Sequence, residues 1–274
     1  MTTSTSSEID AERVHFGPGI GAVRALPKAR ERRPAVIILH ERYGIDRHTQ
    51  DLTVKLAEAG WVGLAPDLFH RFTGDRQALG KGQLRVELRD DEALHDLNAA
   101  IAYLTSLDTV DRSRLGIIGV CQTGRQPLLL AAHRNDLSGA VVLYGAIGGK
   151  EWLANDLRPT PVEALIGQVS CPVLGVFGEA DHIISIDDVF RFRNCLEQSR
   201  KTYHVRLYPD APHGWLNDTM PGRYREESAR DAWSLIVSFL EKSFARGWDG
   251  ERVVQTFECS YSKRYDFAKN VRLE

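Results

Sequence analysis

Six short apolar runs that alternate with amphipathic segments constrain the fold of this chain more than any other feature. The runs contain few polar residues, as is typical of strands buried on both faces of a sheet, and they cover residues 35–39, 61–65, 115–120, 140–144, 173–177 and 203–208. Apolar side chains recur at helical spacing outside these runs, most clearly at Ala229, Trp233, Ile236 and Leu240. The alternation predicts an α/β fold, with a mostly parallel central sheet and helices on both faces.

The alternating region lies within one predicted domain, residues 13–245, which has a segment on either side. Residues 1–12 are rich in Ser and Thr and are predicted to be disordered. The domain then opens with an edge hairpin of residues 13–16 and 21–26. Residues 148–168 break the alternation, and we expect an irregular excursion there. Residues 246–274 form a C-terminal extension that we expect to pack on the domain or on a second subunit, because it carries aromatic side chains that need burial: Phe257, Tyr261, Tyr265 and Phe267.

Composition and charge exclude several classes of function. The net charge of −2 argues against a nucleic acid or an anionic membrane as a partner. No stretch reaches the roughly 18 apolar residues of a membrane span, and the polar first residues do not resemble a secretory signal. The four cysteines are scattered without the spacing of a metal site, which favours a reducing, cytoplasmic setting. We therefore expect no metal and no cofactor, and either a monomer or a homodimer.

The turn after the third apolar run carries a candidate nucleophile. The run Gly-Val-Cys-Gln-Thr-Gly, residues 119–124, follows the strand with small residues and places Cys121 at its apex, as in a nucleophile elbow. A helix is expected to begin near Gln122, and the positive end of its dipole would favour the thiolate, which is the attacking form. The alternative for Cys121 is a buried, unreactive cysteine. The frame of glycines around it favours the nucleophile.

An acid and a histidine follow the next predicted strands. Asp181 comes directly after residues 173–177, and His213 comes just after residues 203–208. The chain order of nucleophile, acid and histidine is that of the α/β-hydrolase fold. All three residues fall at the carboxyl ends of strands, so they can meet above one edge of the sheet. Glu179 and His182 lie close to Asp181 in the sequence and are alternatives to it for the role of the acid.

The loop after the first apolar run supplies the remaining candidate groups. It reads His-Glu-Arg-Tyr-Gly over residues 40–44. In this fold, an oxyanion hole takes one backbone N–H from the residue after the nucleophile and one from this loop, which indicates Gln122 and Arg42. Glu41 would then be a carboxylate close to the thiol, able to accept its proton or to hold it back. The alternative for Glu41 is a helix cap, for which Asp46 is better placed.

Taken together, these motifs resemble the dienelactone hydrolase (carboxymethylenebutenolidase) family of the α/β-hydrolase superfamily. The similarity covers residues 34–240, and its motifs are His40-Glu41-Arg42-Tyr43-Gly44, Ala65-Pro66-Asp67-Leu68-Phe69, Gly119-Val120-Cys121-Gln122-Thr123-Gly124, Tyr144-Gly145, Gly178-Glu179-Ala180-Asp181-His182 and Pro212-His213-Gly214-Trp215. The resemblance implies a catalytic triad of Cys121, Asp181 and His213, with Glu41 governing the thiol. It further implies that the resting thiol pairs with Glu41, and that substrate binding turns the thiol towards His213.

The sequence departs from the family pattern at two places. Thr123 stands where the family usually has Gly, so the elbow is expected to be tighter or shifted. Asn217 stands where an Arg holds the substrate carboxylate in the family member that acts on dienelactone. Nearby arginines are candidates to replace it, namely Arg223 or Arg225, with Arg85 or Arg89 as a second clamp. The predicted substrate contacts are therefore Tyr43, Arg85, Arg89, Tyr144, Trp215, Asn217 and Arg223.

The resulting hypothesis is a hydrolase of a small carboxylic ester or lactone that works through an acyl-enzyme on Cys121. One alternative is an acyltransferase or thioesterase that uses the same triad. Another is a non-catalytic protein with a redox-sensing thiol on this fold, because a lone reactive cysteine is what such a sensor needs.

Overall fold

The computed structural model describes residues 9–28, 31–245 and 252–260. Residues 1–8, which belong to the segment predicted to be disordered, lie outside these ranges. Most of the predicted C-terminal extension also lies outside these ranges, including three of its aromatic residues, Tyr261, Tyr265 and Phe267.

Nine strands in the described ranges form one sheet. Each of the six predicted apolar runs coincides with one of them, although three runs extend one residue beyond the strand. Their bounds are β1 Ile9–Phe16, β2 Ile20–Pro27, β3 Arg33–Ile38, β4 Val62–Pro66, β5 Val110–Val120, β6 Gly139–Leu143, β7 Val173–Gly178, β8 Tyr203–Tyr208 and β9 Gln255–Cys259. The strand order is β1-β2-β4-β3-β5-β6-β7-β8-β9. Strand β2 pairs antiparallel with both neighbours and the other pairs are parallel. The predicted α/β fold with a mostly parallel sheet is confirmed.

Helices cover both faces of this sheet. They are α1 Arg47–Glu58, α2 Arg76–Gly80, α3 Asp90–Ser106, α4 Arg125–His133, α5 Val162–Gln168, α6 Ile186–Gln198 and α7 Glu226–Phe244. Successive strand residues point to opposite faces, so Ile117 packs in one core with α3, α4, α5 and α6, while Ile118 packs in the other with α1 and α7. Asp46 caps α1 by accepting a hydrogen bond from the Thr49 N–H at 2.9 Å, as the sequence indicates.

Two expectations from the sequence need correction. Residues 9–12 lie in strand β1, which pairs with β2 along its whole length from Ile9 opposite Pro27, so this part of the N-terminal segment is not disordered. Residues 148–168 are not irregular throughout, because they contain a 3₁₀ turn at Gly149–Trp152 and helix α5. Helix α5 buries Val162, Leu165 and Ile166, but it is too short for a helical period to be recognised in the sequence.

The described part of the C-terminal extension adds strand β9 to the sheet, parallel to β8. The Phe257 side chain is partly buried, and its ring lies 5.8 Å from that of Phe190 on α6. Contact of the extension with a second subunit stays a prediction.

Candidate active site

Parallel strands bring the predicted site residues to one edge of the sheet. Glu41 follows β3, Cys121 follows β5, Asp181 follows β7 and His213 follows β8. These strands all present their carboxyl ends on the same side, which is where open α/β sheets place their binding sites.

A strained turn holds Cys121 at the end of β5. Its φ angle is 54°, in the left-handed region that residues with a side chain rarely adopt. Close approach of the backbone makes Gly124 necessary, because a Cβ there would lie 2.2 Å from the Gly145 Cα. The buried Thr123 closes the turn through its hydroxyl, which accepts from the Val120 N–H at 3.0 Å and donates to the Val120 carbonyl at 2.9 Å. Thr123 is therefore accommodated where the resembling family usually has Gly.

Cys121, His213 and Asp181 form a continuous line of contacts. His213 Nε2 lies 3.0 Å from Cys121 Sγ, and His213 Nδ1 lies 2.8 Å from Asp181 Oδ2. The other carboxylate oxygen of Asp181 accepts the N–H groups of Ile183 at 2.7 Å and Ile184 at 2.9 Å, which fixes its orientation. Asp181 and His213 are buried, whereas Cys121 is half-buried. The structure thus brings together the three side chains that the sequence indicates.

The surroundings of His213 favour its charged form. Burial alone works against an imidazolium, but the neighbouring Asp181 carboxylate and Cys121 sulfur outweigh it and raise the pKa of His213 well above its ordinary value. The ring of Tyr144, whose φ is 32°, packs edge-on against the imidazole at 5.4 Å between centroids. The Asp181 carboxylate thus stabilises a positive charge on the ring that contacts the Cys121 sulfur.

Glu41 lies in this site but is held by Asn217. The carboxyl group is buried, and its Oε2 accepts the Asn217 side-chain N–H at 2.9 Å. Asn217 is itself oriented by Thr219, whose N–H and hydroxyl donate to its Oδ1 at 3.0 and 2.6 Å. Burial raises the pKa of Glu41 to about 7, although the nearby His213 and the Asn217 hydrogen bond oppose this.

The observed thiol arrangement differs from the one that the resemblance implies for a resting enzyme. Cys121 faces His213, and the amide of Asn217 satisfies the carboxyl of Glu41. The expected pairing of the resting thiol with Glu41 is therefore not what the structure contains. Instead, the Cys121 sulfur has a partner in His213 at 3.0 Å, and Glu41 Oε2 has one in Asn217 at 2.9 Å.

A cavity of about 220 Å³ opens above Cys121. Eight further residues predicted for the site line it together with Cys121, namely Glu41, Arg42, Tyr43, Arg85, Gln122, Tyr144, His213 and Arg223. The side chains of Arg42 and Gln122 both donate to the loop that follows α2, Arg42 to the Gly82 carbonyl at 2.8 Å and Gln122 to the Val86 carbonyl at 2.6 Å. Whether their backbone N–H groups form an oxyanion hole stays a prediction.

Three predicted substrate contacts lie elsewhere. Arg89 is exposed and pairs with Asp91 at 3.1 Å at the start of α3. Trp215 is fully buried in the core, where its ring packs 4.8 Å from that of Tyr208. Asn217 contacts Glu41 and does not line the cavity. Trp215 and Asn217 follow a strand end, as the sequence indicates, but packing decides the direction of each side chain. Arg89, which the family resemblance suggests, lies at the start of α3.

The cavity wall also contains residues that the sequence analysis missed or placed differently. Lys150 and Glu151 come from the 3₁₀ turn within residues 148–168, a segment without any strand-end signal. His182, considered above as an alternative at the acid position, lines the cavity with its ring 6.2 Å from that of His213. Arg225, the alternative to Arg223, instead donates to the Asp210 carbonyl at 3.0 Å.

The described residues also bear on metal binding and on membrane insertion. In residues 9–28, 31–245 and 252–260, no cluster of three or more His, Cys, Asp or Glu side chains is arranged to bind a metal ion. None of the helices in those ranges is both long and apolar enough to cross a membrane. Cytoplasmic location and oligomeric state stay predictions.

Comparison with known proteins shows that the chain is a hydrolase with the α/β-hydrolase fold. The model of the dienelactone hydrolase family matches residues 20–244. A Methylorubrum extorquens protein named "Putative carboxymethylenebutenolidase" is 33% identical over 228 residues, which cover 81% of this chain and 77% of that protein. A Bradyrhizobium protein named "Probable 2-oxo-3-(5-oxofuran-2-ylidene)propanoate lactonase" is 30% identical over 221 residues, covering 80% and 88% of the two chains.

A solved structure agrees with these matches. The crystal structure titled "Putative Dienelactone Hydrolase" from Klebsiella pneumoniae subsp. pneumoniae MGH 78578 superimposes with a TM-score of 0.78 and 31% identity, over 86% of this chain and 99% of that one. The chain belongs to the dienelactone hydrolase family and is a hydrolase of the ester and lactone class. The predicted α/β-hydrolase fold and family are confirmed.

The variant Glu41→Gln should remove a pH dependence of stability that the buried carboxyl creates. The folded protein holds the Glu41 proton up to about pH 7, whereas the ordinary pKa of 4.5 applies after unfolding. Glu41 therefore stabilises the fold most below pH 4.5, and this contribution is lost as the pH rises towards 7. Over that window, we expect the free energy of unfolding of the Gln variant, measured in urea, to rise by up to about 3 kcal/mol relative to the wild type. A difference that stays constant with pH would contradict this.

Proposed function

We propose that this protein cleaves a small ester or lactone through an acyl-enzyme on Cys121, with His213 and Asp181 as the other members of a catalytic triad. The observation that carries the proposal is the line of contacts from Cys121 Sγ through His213 to Asp181, at 3.0 and 2.8 Å. These are the distances that nucleophile–base and base–orienting pairs need.

The first half of the reaction forms the acyl-enzyme. The Cys121 thiolate attacks the carbonyl carbon, and the π electrons of the carbonyl move to its oxygen. The backbone N–H groups of Arg42 and Gln122 stabilise that negative charge. When the tetrahedral intermediate collapses, the C–O bond to the leaving group breaks, and the His213 imidazolium protonates the departing oxygen.

The second half releases the acid and restores the thiolate. Neutral His213 takes a proton from water, whose oxygen attacks the thioester carbon, and the C–S bond breaks. Asp181 holds the imidazole and stabilises its charged form throughout. Glu41 acts on the same charge, because the two groups interact electrostatically, and an ionised Glu41 favours the imidazolium.

The cations at the cavity favour an anionic substrate. Arg223 is half-buried and, among the described residues, has no carboxylate within ion-pair distance. Its guanidinium donates to the Met220 sulfur at 4.0 Å, and it interacts with the buried Glu41 electrostatically, beyond ion-pair distance. Arg85 differs, since it pairs with Glu87 at 2.6 Å. We assign Arg223 to the carboxylate of a small ester or lactone, as a charge-assisted partner. The Bradyrhizobium relative, whose name gives a propanoate lactone as its substrate, supports this class.

The variant Cys121→Ala tests the nucleophile. We expect hydrolysis of an aryl acetate to fall by at least about 10⁴-fold, because a triad acts as a unit. Mass spectrometry of the wild type in the presence of the ester should show an acetyl group on Cys121. The matched control Cys259→Ala changes a half-buried cysteine on strand β9 and should keep both activity and adduct.

Other outcomes of that experiment identify the alternatives. Full activity in Cys121→Ala would overturn the proposal. Transfer of the acetyl group to an added alcohol or thiol in preference to water would indicate an acyltransferase. Rapid oxidation of Cys121 by peroxide with no acyl adduct would indicate a redox-sensing thiol.

The variant Arg223→Gln tests the anionic substrate class. For an ester that carries a free carboxylate, KM should rise about 10- to 100-fold, the value of a lost hydrogen bond to a charged group. The neutral methyl ester of the same compound should be cleaved with little change. Arg89→Gln is the control, because Arg89 lies outside the cavity. Equal effects of Arg223→Gln on both esters would contradict the assignment.

A further inference from the structure

A buried histidine lies directly before the cavity loop and is not part of the proposed triad. His40 follows β3, is completely buried and packs its ring at 4.5 Å from that of Phe69. Both ring nitrogens have backbone partners. Nδ1 lies 2.7 Å from the Glu41 carbonyl oxygen, and Nε2 lies 3.1 Å from the Leu68 nitrogen.

These partners fix the protonation of the ring. The Leu68 N–H can only donate, so His40 Nε2 must accept and carries no proton. The proton of the neutral ring is then on Nδ1, which donates to the Glu41 carbonyl. Burial lowers the pKa of His40, although that carbonyl contact and the nearby Asp67 oppose it, so the ring stays neutral and keeps this tautomer.

The hydrogen bond from His40 acts on the peptide group between Glu41 and Arg42. The described backbone contains no cis peptide, so the carbonyl and the N–H of this group point in opposite directions. The carbonyl is held by the buried His40 on one side, with a longer contact from the Gly44 N–H at 3.4 Å. The N–H on the other side belongs to Arg42, a residue that lines the same cavity as Cys121.

We propose that His40 is a positioning residue for the oxyanion hole, which aims the Arg42 N–H by holding the Glu41 carbonyl. The inference rests on the proposed function, because it needs the Arg42 N–H to receive charge from the substrate. His40 also polarises the peptide, since a carbonyl that accepts a hydrogen bond makes the N–H of the same group a stronger donor. Its bond to Leu68 anchors the ring on the turn after β4 and so on the rigid sheet.

Three variants separate the two hydrogen bonds of His40. In His40→Asn the side-chain N–H occupies the place of Nδ1 and can still donate to the Glu41 carbonyl. In His40→Gln the amide reaches the place of Nε2, where it can accept from Leu68 but cannot hold Glu41. In His40→Phe the ring packing against Phe69 is kept and both nitrogens are lost.

The measurement is kcat and KM for one ester, with inhibition by the aldehyde analogue of its acid. Cys121 Sγ adds to the aldehyde carbon, and the aldehyde oxygen becomes a hydroxyl or oxyanion in the oxyanion hole. The affinity for the aldehyde therefore depends on the N–H donors of that hole. We expect kcat and the aldehyde affinity of His40→Asn to stay close to those of the wild type. In His40→Gln and His40→Phe, kcat should fall about 10- to 100-fold and the aldehyde affinity by a similar factor, as expected for a displaced oxyanion donor. KM should stay nearly unchanged.

Alkylation of Cys121 by iodoacetamide provides the control, because this reaction forms no oxyanion. Its rate should be the same in all three variants and the wild type. The proposed role of His40 would be overturned if His40→Asn and His40→Gln had the same kcat. It would also be overturned if the loss of kcat were matched by a loss of alkylation rate. Failure of the proposed function is distinct, since Cys121→Ala would then keep the activity of the wild type whatever the His40 variants do.

Discussion

The contact between Cys121 Sγ and His213 Nε2 is the interaction on which the rest of the site depends. It joins two residues 92 positions apart in the chain, and the sheet makes it possible, because β5 and β8 end at the same edge. Cys121 is aimed at the imidazole by a left-handed backbone conformation that costs about 1–3 kcal/mol. The close packing of Gly124 on Gly145 and the Thr123 hydroxyl hold that conformation.

Buried groups behind the cavity support this contact. Asp181 fixes the imidazole and is itself fixed by two backbone N–H groups. Asn217 holds one carboxyl oxygen of Glu41, Oε2, at 2.9 Å. His40 holds the peptide before Arg42 in the same way. In each case, a buried polar group with satisfied hydrogen bonds sets the direction of a group that faces the cavity.

The sheet and the Cys121, Asp181 and His213 positions could be predicted because their signals are local: apolar runs of strand length, and polar residues just after them. The beginning of β1 at Ile9 and the short helix α5 have no comparable local signal. The same limit applies to side-chain direction. Trp215 and Asn217 follow His213 closely, yet one fills the core and the other binds Glu41, while Lys150 reaches the cavity from a segment that looked irregular.

The contact of His213 with Cys121 and Asp181 can be tested most directly by titrating His213, followed by NMR of its ring protons in the wild type, Cys121→Ala and Asp181→Asn. We expect the pKa of His213 in the wild type to lie well above its ordinary value, and either substitution to lower it, because the sulfur and the carboxylate both raise it. A wild-type His213 that titrates at its ordinary value, or that does not respond to the loss of Cys121, would contradict the coupling of these three side chains.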